Sequence, residues 1–161
     1  MPLLPNLLFA PPSKLESDVL YFLRGGCLSK MGETNSQKVA LFIDDDNGFL
    51  EVMQEAIQHP NFSVQTYQVS NGYQTIDEII KRKPHVLFID FCLPNISGSQ
   101  ILSILKSVQG LAHLSIYLVT GYSKEAVKPF LIDFDLERVL IKDESFRTEV
   151  LRILDQIDSA A

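Results

Sequence analysis

The stretch VLFIDFCLP, residues 86–94, decides how the chain folds. Its first part, Val86–Asp90, is a continuous apolar run that ends on an aspartate, and a Leu-Pro corner follows at once. A short apolar run of this kind predicts a strand that is buried on both faces of a sheet. Because a buried carboxylate without a partner is costly, we expect Asp90 at an exposed strand end, beside a cation, or both.

Similar apolar runs alternate with helical patterns from Lys38 onward. Four further strands are predicted at 39–44, 62–69, 115–120 and 138–142. Between them, apolar residues recur at the three- and four-residue spacing of an amphipathic helix, and Pro60 and Pro84 stop two of these helical patterns. Five strands that alternate with five helices predict right-handed crossovers and a doubly wound parallel sheet, an α/β fold with helices on both faces.

The composition of the 161-residue chain excludes several classes of function. The net charge of −6 argues against direct nucleic-acid binding, which needs a basic surface. No stretch approaches the roughly 20 apolar residues of a membrane span, and the two cysteines form no CxxC pair. We therefore expect a cytoplasmic protein with reduced thiols and with neither a nucleic-acid nor a membrane partner.

The first 37 residues form a separate predicted region, followed by one domain over 38–158 and a tail over 159–161. Ser13 and Glu16 fit a capping box ahead of a short apolar helical pattern that ends at Gly25-Gly26. Two interpretations stay open: a helix folded on the domain or a disordered tail, and a partner-binding or dimerising helix. Met31 is an alternative start, because MGETNSQ would make a short lead into the first strand.

Polar side chains stand at the ends of the predicted strands. Asp44 and Asp45 end the first strand, Asp90 ends the third, and Thr120 and Lys142 end the fourth and fifth. Ligands of such sheets bind beyond the carboxyl ends of the strands, so we expect these side chains to line one site. Neighbouring acids repel one another, and Mg²⁺, which takes one or two carboxylates with water and phosphate oxygens, relieves that repulsion. The hydroxyl and ammonium groups would then hold a phosphoryl group on one of the acids.

The chain from about Lys38 to Ile157 resembles the receiver domain of two-component response regulators. The resemblance rests on four features in order along the chain: the acidic pair at 44–45, DFCLPNISG at 90–98, Thr120-Gly121, and Lys142. It implies a flavodoxin-like fold with strand order 2-1-3-4-5, as in the chemotaxis regulators. It also implies a phosphoacceptor rather than an enzyme.

The resemblance implies a mechanism centred on Asp90. This residue takes a phosphoryl group from a phosphohistidine on a sensor histidine kinase or a histidine phosphotransfer protein, with Mg²⁺ as the cofactor. Asp45, Asp90 and the main-chain carbonyl of Cys92 bind the metal directly, and Asp44 acts mainly through water.

The remaining two site residues are implied to handle the phosphoryl group. Lys142 pairs with Asp90 or with the phosphoryl group, and Thr120 hydrogen-bonds a phosphoryl oxygen. About four residues follow the final helical pattern, so we expect a stand-alone phosphoacceptor that signals through an unidentified effector protein.

Three positions depart from the family's pattern or strain it. Asp143 follows Lys142 where the family usually has a cis-proline. Because a cis bond before a non-proline residue costs about 2.5–4 kcal/mol, we predict either a trans bond or a cis bond held by strong tertiary constraint. Val139 stands where regulators often carry an aromatic ring that turns inward, a movement that valine cannot make. Pro129 predicts that the fourth helix is shortened or displaced. The acceptor chemistry is expected to be intact and the readout altered.

Two alternative functions stay open. The altered positions favour a receiver-like interaction module that never needs phosphate. LFIDDDNGFL, residues 41–50, also resembles the first motif of haloacid dehalogenase-like phosphatases. Against the phosphatase, Asn47 stands where that family has glycine, no acidic pair follows a later strand, and the role of Asp90 is left unexplained.

Overall fold

The computed structural model describes residues 37–108, 111, 114–131 and 133–160. The expectations for the first 36 residues, the short helix and the alternative start at Met31, lie outside the described residues. Within those residues, no helix is both long enough and apolar enough to span a membrane.

Five strands form one parallel sheet in the order β2-β1-β3-β4-β5. They are β1 (Lys38–Asp44), β2 (Phe62–Gln68), β3 (Val86–Asp90), β4 (Ser115–Thr120) and β5 (Val139–Ile141). The predicted fold and strand order are confirmed. The fifth strand is shorter than predicted, because a 3₁₀ turn occupies Leu136–Arg138 and Lys142 follows the strand.

Within the described residues, five α-helices connect and flank the strands. They are α1 (Asn47–Ala56), α2 (Gln74–Arg82), α3 (Gly98–Ser107), α4 (Lys124–Val127) and α5 (Phe146–Ser159). Helix α4 has only four residues, and a 3₁₀ turn that contains Pro129 follows it. Proline has no N–H to donate and clashes with the preceding helical turn. The predicted shortening of the fourth helix is therefore confirmed.

The two faces of the sheet bury separate apolar clusters. Successive residues of a strand point to opposite faces, so Phe42 packs with α1 and α5, while its neighbour Leu41 packs with α2 and α3. The Phe42 and Phe88 rings stack at 4.6 Å between centroids. All five residues of β3 are buried, as its apolar run predicts, and this strand carries Asp90 to the carboxyl edge of the sheet.

Candidate functional site

Two buried carboxylates share one lysine at the carboxyl edge of the sheet. Strands β1 and β3 are paired neighbours with Ile43 opposite Ile89, so Asp44 and Asp90, the next residue on each strand, lie side by side. Only 1% of Asp44 and 6% of Asp90 is exposed. The Lys142 Nζ lies 2.7 Å from Asp44 Oδ2 and 2.7 Å from Asp90 Oδ1. The ammonium therefore bridges the two carboxylates.

Main-chain amides occupy the other oxygen of each carboxylate. The Asp46 N–H donates to Asp44 Oδ1 at 3.0 Å, and the Cys92 N–H donates to Asp90 Oδ2. Each buried carboxylate thus has one cationic and one amide partner, which offsets much of the cost of its burial.

The shared lysine leaves the buried pair with one excess negative charge. Burial raises the pKa of Asp90 above its ordinary value; the hydrogen bond and charge of Lys142 oppose this rise, and the charge of Asp44 adds to it. Burial alone lowers the pKa of Lys142, but its bonds to the two carboxylates outweigh burial and leave that pKa above its ordinary value. Lys142 is therefore charged at neutral pH.

Asp45 and Cys92 lie at the open side of this carboxylate pair. Both residues are exposed. Burial, followed by the charge of Asp90, raises the pKa of the Cys92 thiol, and the charge of Asp45 adds to that rise. The thiol is therefore protonated at neutral pH. Within the described residues, no group of three or more His, Cys, Asp or Glu side chains is arranged to hold a metal ion.

Thr120 lies at the same edge, on the strand next to β3. Asp90 pairs with Val119, so Thr120 lies one residue further along β4. Its Oγ1 accepts a hydrogen bond from the Tyr122 N–H at 3.1 Å, and only 2% of the residue is exposed. A hydroxyl that accepts one hydrogen bond still has its proton to donate. A Cβ placed on Gly121 would meet no heavy atom within 4 Å, so the space beside the threonine is open.

A tight hairpin follows Asp90. Cys92–Leu93 pairs antiparallel with Ile96–Ser97, and Pro94-Asn95 forms the turn with Asn95 at φ 66°. Proline followed by a residue of positive φ is typical of a type II turn. This hairpin was not predicted, since two-residue strands are too short to give a periodic pattern.

Two glycines allow close packing around this hairpin. A Cβ on Gly98 would lie 2.5 Å from the Asp90 carbonyl oxygen and 2.9 Å from Leu118 Cδ2. The Gly72 N–H donates to the Pro94 carbonyl at 3.1 Å, and a Cβ on Gly72 would overlap the Ile96 side chain. The start of α3 and the loop before α2 therefore both pack directly on the segment from Asp90 to the end of the hairpin.

Phe49 belongs to the site but was missed by the sequence analysis. Lys142 Nζ lies 4.5 Å from the centroid of the Phe49 ring, which packs against Phe146 at 5.6 Å between ring centroids. Phe49 directly precedes Leu50 on the predicted apolar face of α1. The local pattern therefore indicates an ordinary partly buried aromatic residue, and the contact with Lys142, 93 positions away, arises only in the fold.

The departures from the family pattern have structural outcomes. Every peptide bond within the described ranges is trans, so the first of the two predicted alternatives, a trans bond after Lys142, is confirmed. Lys142 nevertheless reaches both carboxylates. Val139 is fully buried on β5.

The strand order and the edge that collects two acids and a lysine define a chemotaxis-regulator-like, doubly wound domain. The family model of the response regulator receiver domain matches residues 40–153, and the chain belongs to this family. Sporulation initiation phosphotransferase F of Bacillus subtilis is 27% identical over 109 residues, which cover 62% of this chain and 85% of that protein.

Two solved structures show the same fold. A CheY-like response regulator receiver domain from Methylobacillus flagellatus has a TM-score of 0.57 and 24% identity, over 75% of this chain and 98% of that one. Response regulator protein TrrA from Thermotoga maritima, in complex with Mg²⁺ and BeF, has a TM-score of 0.59 and 19% identity, over 75% of this chain and 99% of that one.

Proposed function

We propose that this domain accepts a phosphoryl group on Asp90 and signals by contact with another protein. The donor is a phosphohistidine on a sensor histidine kinase or a histidine phosphotransfer protein, and the receiver of the signal is an unidentified effector protein. The observation that carries the proposal is the bridging of Asp44 and Asp90 by the Lys142 ammonium, 2.7 Å from each, at the ligand-binding edge of the sheet.

The proposed step is an in-line displacement at phosphorus. A carboxylate oxygen of Asp90 forms the new P–O bond, the P–N bond to the donor histidine breaks, and the electron pair of that bond stays on the imidazole. Lys142 holds positive charge beside the acceptor as the phosphoryl group arrives. The Thr120 hydroxyl then donates a hydrogen bond to a phosphoryl oxygen.

The residues at the open side fit a partly hydrated Mg²⁺ ion. Asp45 is exposed, the charges of Asp45 and Asp90 both act on the Cys92 thiol, and the Cys92 carbonyl belongs to the same segment as Asp90. Asp44 is the more deeply buried carboxylate, with 1% exposed against 6% for Asp90, which suits contact of Asp44 with the ion through water rather than direct ligation. Mg²⁺ uses one or two carboxylates and keeps several waters, so it does not need a cage of three acids. When bound, the ion neutralises charge on the phosphoryl oxygens.

The decisive experiment is the intact mass of the protein after incubation with acetyl phosphate or a donor kinase and Mg²⁺. Wild type is expected to gain one phosphoryl group, and Asp90→Asn none. Asp46→Asn is the matched control, because Asp46 lies in the same acidic run but caps α1 through the Phe49 N–H. It is expected to gain the group as wild type does.

The same experiment distinguishes the second candidate, a receiver-like interaction module that works without phosphate. The buried Val139 and the four-residue α4 favour this alternative, because position 139 has no aromatic ring to turn inward and α4 is not a long helix that could be repositioned. An absence of mass gain with every donor, together with an absence of Mg²⁺ binding, would favour it instead. The match to a receiver family favours both candidates over the phosphatase alternative.

A further inference from the structure

Lys142 is held by more than the two carboxylates that it bridges. A lysine side chain has a flexible four-carbon stem and a compact charge with three donors. Two ion pairs alone therefore leave the ammonium considerable conformational freedom. On the side of the ammonium that faces α1 lies the ring of Phe49, with its centroid 4.5 Å from Nζ. Lys142 keeps 23% of its side chain exposed, so an aromatic face there also limits access of water to the cation.

We propose that Phe49 is a positioning residue that keeps the Lys142 ammonium between Asp44 and Asp90. The inference deepens the proposed function, because it rests on the role proposed there for Lys142. In this role Phe49 acts through the lysine. A cation over an aromatic face is attracted to the ring, and the attraction is stronger when the pair is partly removed from water.

The Phe49 ring is itself fixed from two directions. Its own N–H donates to Asp46 Oδ1 at 3.1 Å, which anchors the first turn of α1. Its ring packs at a tilt of 56° against Phe146, the first residue of α5, which is only 3% exposed. The ring therefore has little freedom to leave the ammonium.

The residue after Lys142 completes the arrangement. The Asp143 carbonyl accepts the Phe146 N–H at 3.1 Å, and Asp143 Oδ1 accepts the Ser145 N–H at 2.8 Å and its hydroxyl at 2.7 Å. These bonds fix the start of α5, and with it the aromatic support of Phe49. The turn at Asp143 and the ring of Phe49 thus hold Lys142 in place, although the residue that follows this lysine is not proline.

The test compares Phe49→Leu and Phe49→Tyr with a control at a second cation–ring pair. Lys38 Nζ lies 5.7 Å from the Phe62 ring centroid, at the opposite end of β1 from Asp44. Phe62→Leu therefore removes a ring of equal size from beneath a lysine without touching the site. One measurement is the order parameter of the Lys142 ammonium by ¹⁵N NMR, and the other is the rate of phosphoryl gain from acetyl phosphate with Mg²⁺.

Phe49→Leu is expected to lower the order parameter of the Lys142 ammonium and to slow phosphorylation about threefold. Phe49→Tyr restores both, because it keeps the ring, and Phe62→Leu leaves both at wild-type values. The proposal is overturned if Phe49→Leu leaves the ammonium as ordered as in wild type, or if Phe62→Leu disturbs it equally. Phe49→Met replaces Phe49→Leu if the leucine variant does not fold.

The two measurements separate this inference from the proposed function. If wild type gains no phosphoryl group, the phosphoacceptor role fails while the order of the Lys142 ammonium still tests the contact with Phe49. If wild type is phosphorylated and Phe49→Leu matches it in both measurements, the role of Phe49 fails and the phosphoacceptor role stands.

Discussion

Removing Lys142 and removing one of its two acids are expected to change the stability of the domain in opposite directions. Lys142 is the cation between the two buried carboxylates, each 2.7 Å away. Without it, Asp44 and Asp90 would face each other, each with one main-chain amide as a hydrogen-bond donor. Removing one partner of a buried charge pair leaves an uncompensated charge, which is the expensive case.

Lys142→Met is therefore expected to lower the free energy of unfolding by about 1–3 kcal/mol at pH 7, less than for a fully buried pair because the lysine is partly exposed. Urea denaturation measures this change. The control is Lys128→Met, which alters an exposed lysine and is expected to stay within about 0.5 kcal/mol of wild type. Equal stability of Lys142→Met and wild type would show that the carboxylates do not depend on this cation.

At the scale of elements, the start of α3 is fixed by its approach to the acceptor strand. Ser97 caps the helix by accepting the Gln100 N–H, and the Gln100 side chain returns a bond to the Ser97 N–H. This capping box fixes the residue at which the helix begins. Its first residue, Gly98, then lies against the carbonyl of Asp90.

Gly98→Ala is expected to destabilise the domain by about 1–3 kcal/mol, because the added methyl group meets backbone that cannot move without shifting Asp90. Gly121→Ala is the matched control, since a Cβ there has open space, and it is expected to change stability by no more than about 1 kcal/mol. Chemical denaturation of both variants provides the comparison. A Gly98→Ala protein as stable as Gly121→Ala would contradict the close approach.

Elements with strong local patterns were predictable from sequence, and contacts between distant segments were not. The apolar run 86–90 gave β3 with its bounds, and Pro129 indicated the short α4. The acids and the lysine were placed together because parallel strands deliver their ends to one edge. The contact of Phe49 with Lys142 was missed. Phe49 lies beside the apolar face of a helix, and nothing in the local sequence shows whether such an aromatic residue belongs to the core or to a site.

At the scale of the whole molecule, the site links stability to pH. Burial raises the pKa of Asp90 in the folded state above its ordinary value. Between the two pKa values the folded chain binds more protons than the unfolded chain, so this group's contribution to stability falls as pH rises through that window. Three acids whose pKa values are lowered by hydrogen bonds, the exposed Asp143 and the partly buried Glu78 and Asp158, act in the opposite direction.

Asp90→Asn is expected to be more stable than wild type at pH 7, by about 1 kcal/mol, as is usual when a functional site is relieved of strain. Lys142 then pairs with Asp44 alone. The difference should shrink as pH falls through the window between the raised pKa of Asp90 and the ordinary pKa of aspartate, because below that window wild type is protonated in both states. Denaturation of both proteins across this pH range measures the difference. The contributions of the other acids cancel, because both proteins contain them. A stability difference that grows toward low pH would contradict the raised pKa of Asp90.

The packing of Gly72 against the hairpin turn limits which substitutions the chain can accept. Any side chain at position 72 would occupy the volume that Ile96 fills, and it would also press on the Pro94 carbonyl. A smaller residue at position 96 would relieve only the first of these clashes, because the second is with backbone. A substitution at position 72 therefore requires a change in both the side chain at 96 and the path of the hairpin turn.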